Sequence, residues 1–402
     1  MKAQLRPLGL YIHIPFCKSK CIYCDFYSLP RGEEKMDDYV AALCRHLKES
    51  APRAEGYTVD TVYFGGGTPS YLGTDRLLKL LKCVKKHYTL SKTAEVTLEA
   101  NPDSATELRA LKKLRRGGFN RISLGVQSTD DALLRQIGRI HSADQVRQAV
   151  ETARKADFEN LSLDLIYGLP GQDMSHWQKT LADAVALQPE HLSCYGLKVE
   201  EGTPLCAMAE TLSLPGDELQ ADMYLYTVDY LQKNGYEQYE ISNFARNGQL
   251  SRHNMKYWQL QEYMGFGPGA HSDFGGTRYA FLRDLAGYIR GVENGGELLS
   301  ECQQIPPALR DTEYLMLGLR TAKGISGEEF TRRFRLPFGK IEAALTKCQE
   351  SGYALQQQGF WRLTAEGFLL SNQIIGLLWQ ALAEEKEALE RQRQERRNAG
   401  RL

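Results

Sequence analysis

Residues 11–26 read YIHIPFCKSKCIYCDF, and every later inference leans on this stretch. Its start belongs to an apolar run, LYIHIPF at 10–16, that predicts a β-strand. Three thiols then crowd into eight residues, Cys17, Cys21 and Cys24, in the loop leaving that strand. The other six cysteines (Cys44, Cys83, Cys194, Cys206, Cys302, Cys348) stand singly and read as small buried hydrophobes. An odd total of 9 with no export signal fits a reducing cytoplasm, where clustered thiols serve metal or catalysis. A structural zinc ion takes four ligands, usually from two paired knuckles. Here there is no second CxxC, and the nearest fourth ligand, His13, lies on the strand itself. An iron–sulfur cube also prefers four thiolates. Held by three, it keeps one iron open, which suits substrate binding better than plain electron transfer. The spacing favours the cube over zinc or unrelated thiols.

Outward from that stretch, further strands are expected at 61–64, 96–100, 121–126, 161–167 and 191–199. Helical spacing of apolar residues appears between them, as in MDDYVAALCRHLKES (36–50) and RLLKLLKCVKKHY (76–88). Strands alternating with helices call for a parallel sheet with right-handed crossovers. Six units in about 200 residues suggest a partial (β/α)6 barrel, an incomplete relative of the eight-fold form; a doubly wound sheet fits the same pattern. The chemistry-bearing residues follow the strands: Cys17, then Gly65–Gly67 and Thr68, then Glu99, Gln127 and Asp164. Parallel α/β folds build their sites at that C-terminal edge. The glycines are expected to let backbone come close to a charged ligand and to offer it free N–H groups.

At 402 residues the chain exceeds one ordinary domain. The expected division is a barrel at 1–200, an aromatic- and glycine-rich α+β extension at 201–304, a small winged-helix-like domain at 305–382 and a charged helical tail at 383–402. The extension reads as irregular strands and loops, the pair Pro306-Pro307 marks a boundary, and Ser326 with Glu329 forms a capping box. Fifty basic residues balance 50 acidic ones, which argues against nucleic-acid binding by bulk charge. Arg332, Arg333, Arg335 and Lys340 make only a modest basic face, better suited to protein contact. No apolar stretch is long enough for a signal peptide or a membrane span.

The segments CxxxCxxC, YFGGGTPSYL (63–72), EANPD (99–103), RISLGVQS (121–128), GRIHS (138–142) and LDLIYGLPGQ (163–172) together resemble the radical S-adenosylmethionine (SAM) superfamily, in its coproporphyrinogen-dehydrogenase-like branch. The resemblance implies a [4Fe-4S] cluster on Cys17, Cys21 and Cys24 whose open iron binds SAM and cleaves it to a 5′-deoxyadenosyl radical. It implies SAM contacts at Tyr11, Tyr23, Gly66, Gly67, Thr68, Glu99, Gln127, Arg139 and Asp164. The dehydrogenases of the branch carry a fourth cysteine two residues after the third, where this sequence has Phe26. They also carry a longer arm than the sixteen residues before Cys17 here. Phe26 and RHNMKYW (252–258) instead resemble a heme chaperone group. That implies heme as third cofactor, heme proteins as acceptors, often membrane-bound respiratory enzymes, and a flavodoxin-type electron donor. It also implies a cytoplasmic protein, peripheral to the inner membrane face. His253, Asn254, Tyr257 and His271 are the heme-binding candidates, since imidazole ligates iron and aromatic rings pack on the macrocycle. The competing expectation is an oxygen-independent coproporphyrinogen III oxidase.

Overall fold

A computed structural model describes residues 5–399, so the outermost ends of the expected first domain and tail lie outside the described residues. The chain divides into two compact units. One runs to Glu237 and adds Ser242–Lys256 and Gln261–Gln304; the other combines Gln238–Ile241, Tyr257–Leu260 and everything from Ile305.

In the first unit the leading strands are β1 (Arg6–Ile14), β2 (Tyr57–Gly66), β3 (Leu90–Ala100), β4 (Arg121–Gln127), β5 (Asn160–Tyr167) and β6 (His191–Gly196). The crossovers carry α1 (Met36–Ser50), α2 (Thr74–His87), α3 (Leu108–Gly117), α4 (Asp131–Gln136), α5 (Ala143–Lys155) and α6 (Met174–Ala186). Local chemistry sets several helix ends. Ser142 and Gln145 form a reciprocal capping box at the start of α5, and Gly118 ends α3 in the left-handed region at φ 116°. The six strands lie side by side in chain order, each parallel to the next. A doubly wound sheet would reverse direction about β1. This one does not, so the partial barrel is the fold.

The segment after β6 is more regular than its composition suggests. It holds a 17-residue helix, α7 (Asp217–Lys233), and extends the sheet at both edges. Strand β7 (Asn243–Ala245) runs antiparallel beside β6. On the other edge β8 (Tyr263–Phe266) lies parallel to β1, followed by antiparallel β9 (His271–Phe274), β10 (Thr277–Phe281) and β11 (Leu299–Gln304). A short helix, α8 (Arg252–Trp258), precedes β8.

The strands have two different faces, because alternate side chains point to opposite sides. Leu8, Leu10, Ile12 and Ile14 of β1, Phe64 of β2, Leu98 of β3, Ile122, Leu124 and Val126 of β4 and Leu163 of β5 are all 0% exposed. They join Leu43, Leu80, Val84, Ala149 and Leu181 of the helices in one core. The alternate positions are polar: Thr61, Tyr63, Thr97, Glu99, Arg121, Ser123, Ser162, Asp164, His191 and Ser193. Burying the first set drives folding; the second set supplies the site.

In the second unit α9 (Arg310–Gly318), α10 (Gly327–Phe334) and α11 (Gly339–Glu350) surround a small antiparallel sheet of β12 (Ile325–Ser326), β13 (Ala354–Gln357) and β14 (Phe360–Leu363), with β14 central. This is the helix-and-hairpin order of a winged helix. Ser326 accepts the Glu329 N–H at 3.4 Å, but the Ser326 N–H donates to the Tyr314 hydroxyl at 3.0 Å, so α10 carries one half of the expected capping box and not its reciprocal bond. The charged tail is continuous with α12 (Ser371–Ala399). Contacts continue past residue 383, where Lys386 pairs with the buried Asp311 at 2.7 Å and Glu385 accepts the Lys340 N–H at 3.3 Å. Among the described residues no helix is long and apolar enough to cross a membrane.

Leu124 sits mid-sheet in the packed face, and Leu124→Ala is expected to lower unfolding free energy by about 2 to 5 kcal/mol, read from the urea midpoint. A loss below about 1 kcal/mol would mean that this face is not close-packed.

Candidate functional site

The cysteine loop is closed at its base by a two-residue parallel pair, Phe16–Cys17 against Leu29–Pro30. The Leu29 N–H donates to Pro15 O and the Arg31 N–H to Cys17 O, both at 2.7 Å. Its middle is pinned by backbone too: Ile22 N–H to Ile137 O at 3.3 Å, and Leu205 N–H to Ile22 O at 2.9 Å. Cys17 and Cys21 are buried and Cys24 is half-buried. Burial pushes the Cys17 thiol up from its ordinary value and the Cys24 thiol up to about 11, the neighbouring cysteines adding to it at Cys24. A positive charge bound among them would reverse that shift. The Thr68 hydroxyl and Arg139 Nη1 approach Cys17 Sγ and Cys21 Sγ, each at 3.5 Å.

The glycine loop leaves β2 against this one. Gly66 has φ +111°, and a Cβ there would fall 2.6 Å from the His13 ring. A Cβ on Gly67 would meet Phe16 O at 2.8 Å and Cys17 Sγ at 3.0 Å, so only glycine fits between the two loops. The expectation of free N–H groups here is corrected. The Gly66 N–H donates to Glu99 Oε2 at 3.1 Å, Gly67 to Ile14 O at 2.9 Å and Thr68 to Phe16 O at 2.8 Å. All three donors are used inside the protein, leaving close approach and carbonyl oxygens as what the loop can give a ligand.

A cavity of 430 Å³ opens above these loops and is lined by all three cysteines together with Tyr23, Gly66, Gly67, Thr68, Glu99, Gln127, Arg139 and Asp164. Glu99 accepts the Tyr63 hydroxyl at 2.7 Å. Burial raises its carboxyl to about 7, partly offset by that bond, while Asp164 raises it further and Arg121 lowers it. Asp164 is caged by hydroxyls: Ser193 donates at 2.7 Å, Ser123 at 2.9 Å and Ser162 at 3.3 Å. Burial still raises its pKa, with those three bonds and Arg121 opposing. Gln127 reaches the cavity through a register shift between Gly125 and Gln127 and takes φ 65° there, a bulge that re-aims the strand end. Arg139 donates from Nη2 to Asn101 Oδ1 at 2.8 Å and to Gly125 O, while its buried Nε has no hydrogen-bond partner. Two buried carboxyls and two guanidiniums around one cavity suit a ligand that carries both signs of charge.

Not every expected residue is at the cavity. Tyr11 stands outside the lining, stacked on Tyr63 at 6.2 Å and bonded to His13 Nδ1 at 3.1 Å. His13 does not serve as a fourth ligand, because its Nε2 is taken by Tyr27 O at 2.8 Å and its Nδ1 by the Tyr11 hydroxyl at 3.1 Å. The heme candidates differ in their surroundings. His253 is 0% exposed and bonds Thr61 Oγ1 at 2.8 Å; burial lowers its pKa to about 3. An iron ligand needs an open face for the macrocycle, and His253 has none. Asn254 lines the cavity, Tyr257 is half-buried in α8, and His271 is exposed at the start of β9. Phe26 is 60% exposed and lines the cavity as well. Arg121, Ser123 and Ser193 escape the sequence reading, while Asn101, just past the end of β3, lines the cavity with Glu99. The signal for the first two is there, as RISLG alternates polar and apolar residues.

Residues 11–184 match the Radical SAM superfamily, and residues 310–370 match the HemN C-terminal domain. The chain is 36% identical over 370 residues to the heme chaperone HemW of Bacillus subtilis, covering 91% of this chain and 97% of that one. It is 34% identical over 376 residues to the Escherichia coli heme chaperone HemW, covering 93% and 98%. Among solved structures, coproporphyrinogen III oxidase (HemN) from Escherichia coli superposes with a TM-score of 0.81 at 25% identity, covering 93% of this chain and 90% of that one.

The Glu99 environment sets an infrared prediction. A protonated-carboxyl band is expected to grow as pH falls through about 7 and to be missing at that pH in Glu99→Gln. A band titrating only near the ordinary value of 4.5 would contradict the buried geometry.

Proposed function

The chain belongs to the HemW family of the radical SAM superfamily, and we propose that it is a heme chaperone whose [4Fe-4S] cluster and SAM occupy this cavity. The observation that carries this reading is the corner of three thiols opening onto the same space as Glu99 and Arg139. The residues present fit both groups. There are three thiols in the loop and no fourth in Phe26's place. The described residues hold no set of three His, Cys, Asp or Glu placed to grip one metal ion; a cube, with its irons at separate corners, does not need one. When bound, the cluster supplies an electron and one open iron position to SAM.

The chain's own residues do the holding. Glu99 as carboxylate takes the SAM ammonium, so affinity rises as pH climbs through about 7. Arg139 turns its unpartnered Nε to the SAM carboxylate, and its Nη1 offsets thiolate charge at Cys21. Gln127 and Asp164 are left for the ribose hydroxyls. Tyr23 closes the wall beside Cys21, packed with Leu133, Ile137 and Ile166.

Heme is the cargo. Of the two histidine candidates His271 is the exposed one, so it is the proposed iron contact. The finer proposals are cytoplasmic residence with peripheral contact at the inner membrane face, respiratory enzymes as acceptors and a flavodoxin-type reductant. The second reading, oxygen-independent oxidation of coproporphyrinogen III, draws on the fold likeness to HemN. Phe26 disfavours it, since the dehydrogenases resembled in the branch carry a cysteine at that position.

Cys17→Ser, Cys21→Ser and Cys24→Ser are each expected to abolish the brown chromophore of anaerobically purified protein, whereas Cys44→Ser, Cys83→Ser and Cys348→Ser keep it. Zinc following the trio in place of iron and sulfide would refute the cluster. The deciding functional assay gives the reconstituted protein reductant, SAM and coproporphyrinogen III without oxygen. No protoporphyrinogen is the expected result there, with stable heme binding in a parallel heme titration; turnover to protoporphyrinogen would overturn the chaperone reading.

A further inference from the structure

The segment RHNMKYW is fastened where it meets the sheet. The Glu95 carboxylate of β3 accepts the Arg252 N–H at 2.9 Å and the His253 N–H at 3.0 Å. Lys256, 2% exposed, pairs with Asp60 at 2.7 Å. The His253 ring bonds Thr61 Oγ1 at 2.8 Å. The approach to β1 is close enough that a Cβ on Gly9 would lie 2.8 Å from Lys256 Cδ and 3.2 Å from His253 Cε1. Anchored three ways and closed to solvent, this histidine faces inward, toward the polar side of the sheet.

What its ring meets there is Tyr63. The two centroids are 5.2 Å apart with planes inclined by 26°. Tyr11 closes a triangle of rings, 6.2 Å from Tyr63 and 6.4 Å from His253. Tyr63 in turn donates its hydroxyl to Glu99 Oε1 at 2.7 Å. A tyrosine with one face unsupported gains rotamer freedom, and its hydroxyl leaves the carboxylate.

We propose that His253 is a positioning residue of the SAM site, packing Tyr63 so that Tyr63 holds the Glu99 carboxylate toward the ligand. This role rests on the reading of Glu99 as a SAM contact. It assigns the histidine of the HNxxYW segment to SAM, although the segment suggests heme, and it explains why a residue outside the cavity is so firmly fixed.

The experiment measures SAM affinity and heme uptake in the full chain, anaerobically reconstituted and matched for iron content. His253→Ala is expected to weaken SAM binding about fivefold, the order of one lost aromatic contact, and to leave the heme Soret band unchanged. His253→Phe keeps the stack and restores most of the affinity. His253→Leu fills the volume without a flat ring and weakens SAM like alanine, which keeps the test open should the alanine form unfold. In a Glu99→Gln background the His253 substitutions cost nothing further, because the path ends at Glu99. Unchanged SAM affinity in the leucine form, losses that multiply in the double variant, or loss of the Soret band with SAM binding intact would each overturn the role. Absence of SAM binding by the unsubstituted chain would instead fell the reading of the site, and this role with it.

Discussion

Two backbone hydrogen bonds bear the site: Gly67 N–H to Ile14 O at 2.9 Å and Thr68 N–H to Phe16 O at 2.8 Å. They sew the glycine loop after β2 onto the chain that enters the cysteine loop. Everything else follows from that contact. It brings the Thr68 hydroxyl to Cys17, and it forces glycine at 67, where any Cβ would collide with Phe16 O. The same loop turns the Gly66 N–H onto Glu99. Thiols from one strand end and a carboxylate from another are thereby set around one volume with no flexible linker between them, the preorganisation that binding a charged cofactor requires.

That arrangement has an electrostatic cost, which the inner face of the sheet meets locally. Glu99 and Asp164 are carboxyls taken out of water, and burial raises the pKa of both. Asp164 is answered by three serine hydroxyls from its own and the two flanking strands. Glu99 is answered by Tyr63 and a backbone N–H. Arg121 lowers both, one guanidinium serving two acids. Glu99 is left with its carboxyl raised to about 7. The outer face carries none of this burden. Its leucines, isoleucines and valines supply the hydrophobic term that lets the inner face stay polar.

The sequence is legible where physics is local. The run at 36–50 reads as a helix from its apolar spacing, and α1 covers those residues. Chain order of the strands follows from alternating elements, and closure in one direction distinguishes the barrel. The three thiols, the glycine turn and the strand-end polar residues announce a shared edge in the sequence itself. Reading fails where an answer depends on what lies opposite. Glycines 66 and 67 advertise freedom, but nothing local shows that their N–H groups meet Glu99 and Ile14. A histidine among aromatics looks the same in a core and at an opening, so the burial of His253 is invisible. Arg121 and Ser123 alternate with Ile122 and Leu124, but nothing local shows that their side of the strand faces a cavity. The short pieces 238–241 and 257–260, which group with the second unit, carry no mark of it in their composition.

The central claim is that three thiolates hold a cube of iron and sulfide and leave one iron for SAM. Mössbauer spectroscopy of protein reconstituted with iron-57 examines it most directly. The account predicts one iron signal distinct from the others in the cluster, and a shift of that signal alone when SAM is added. Four equivalent irons that ignore SAM, or a faithfully assembled sample without a cube, would contradict it.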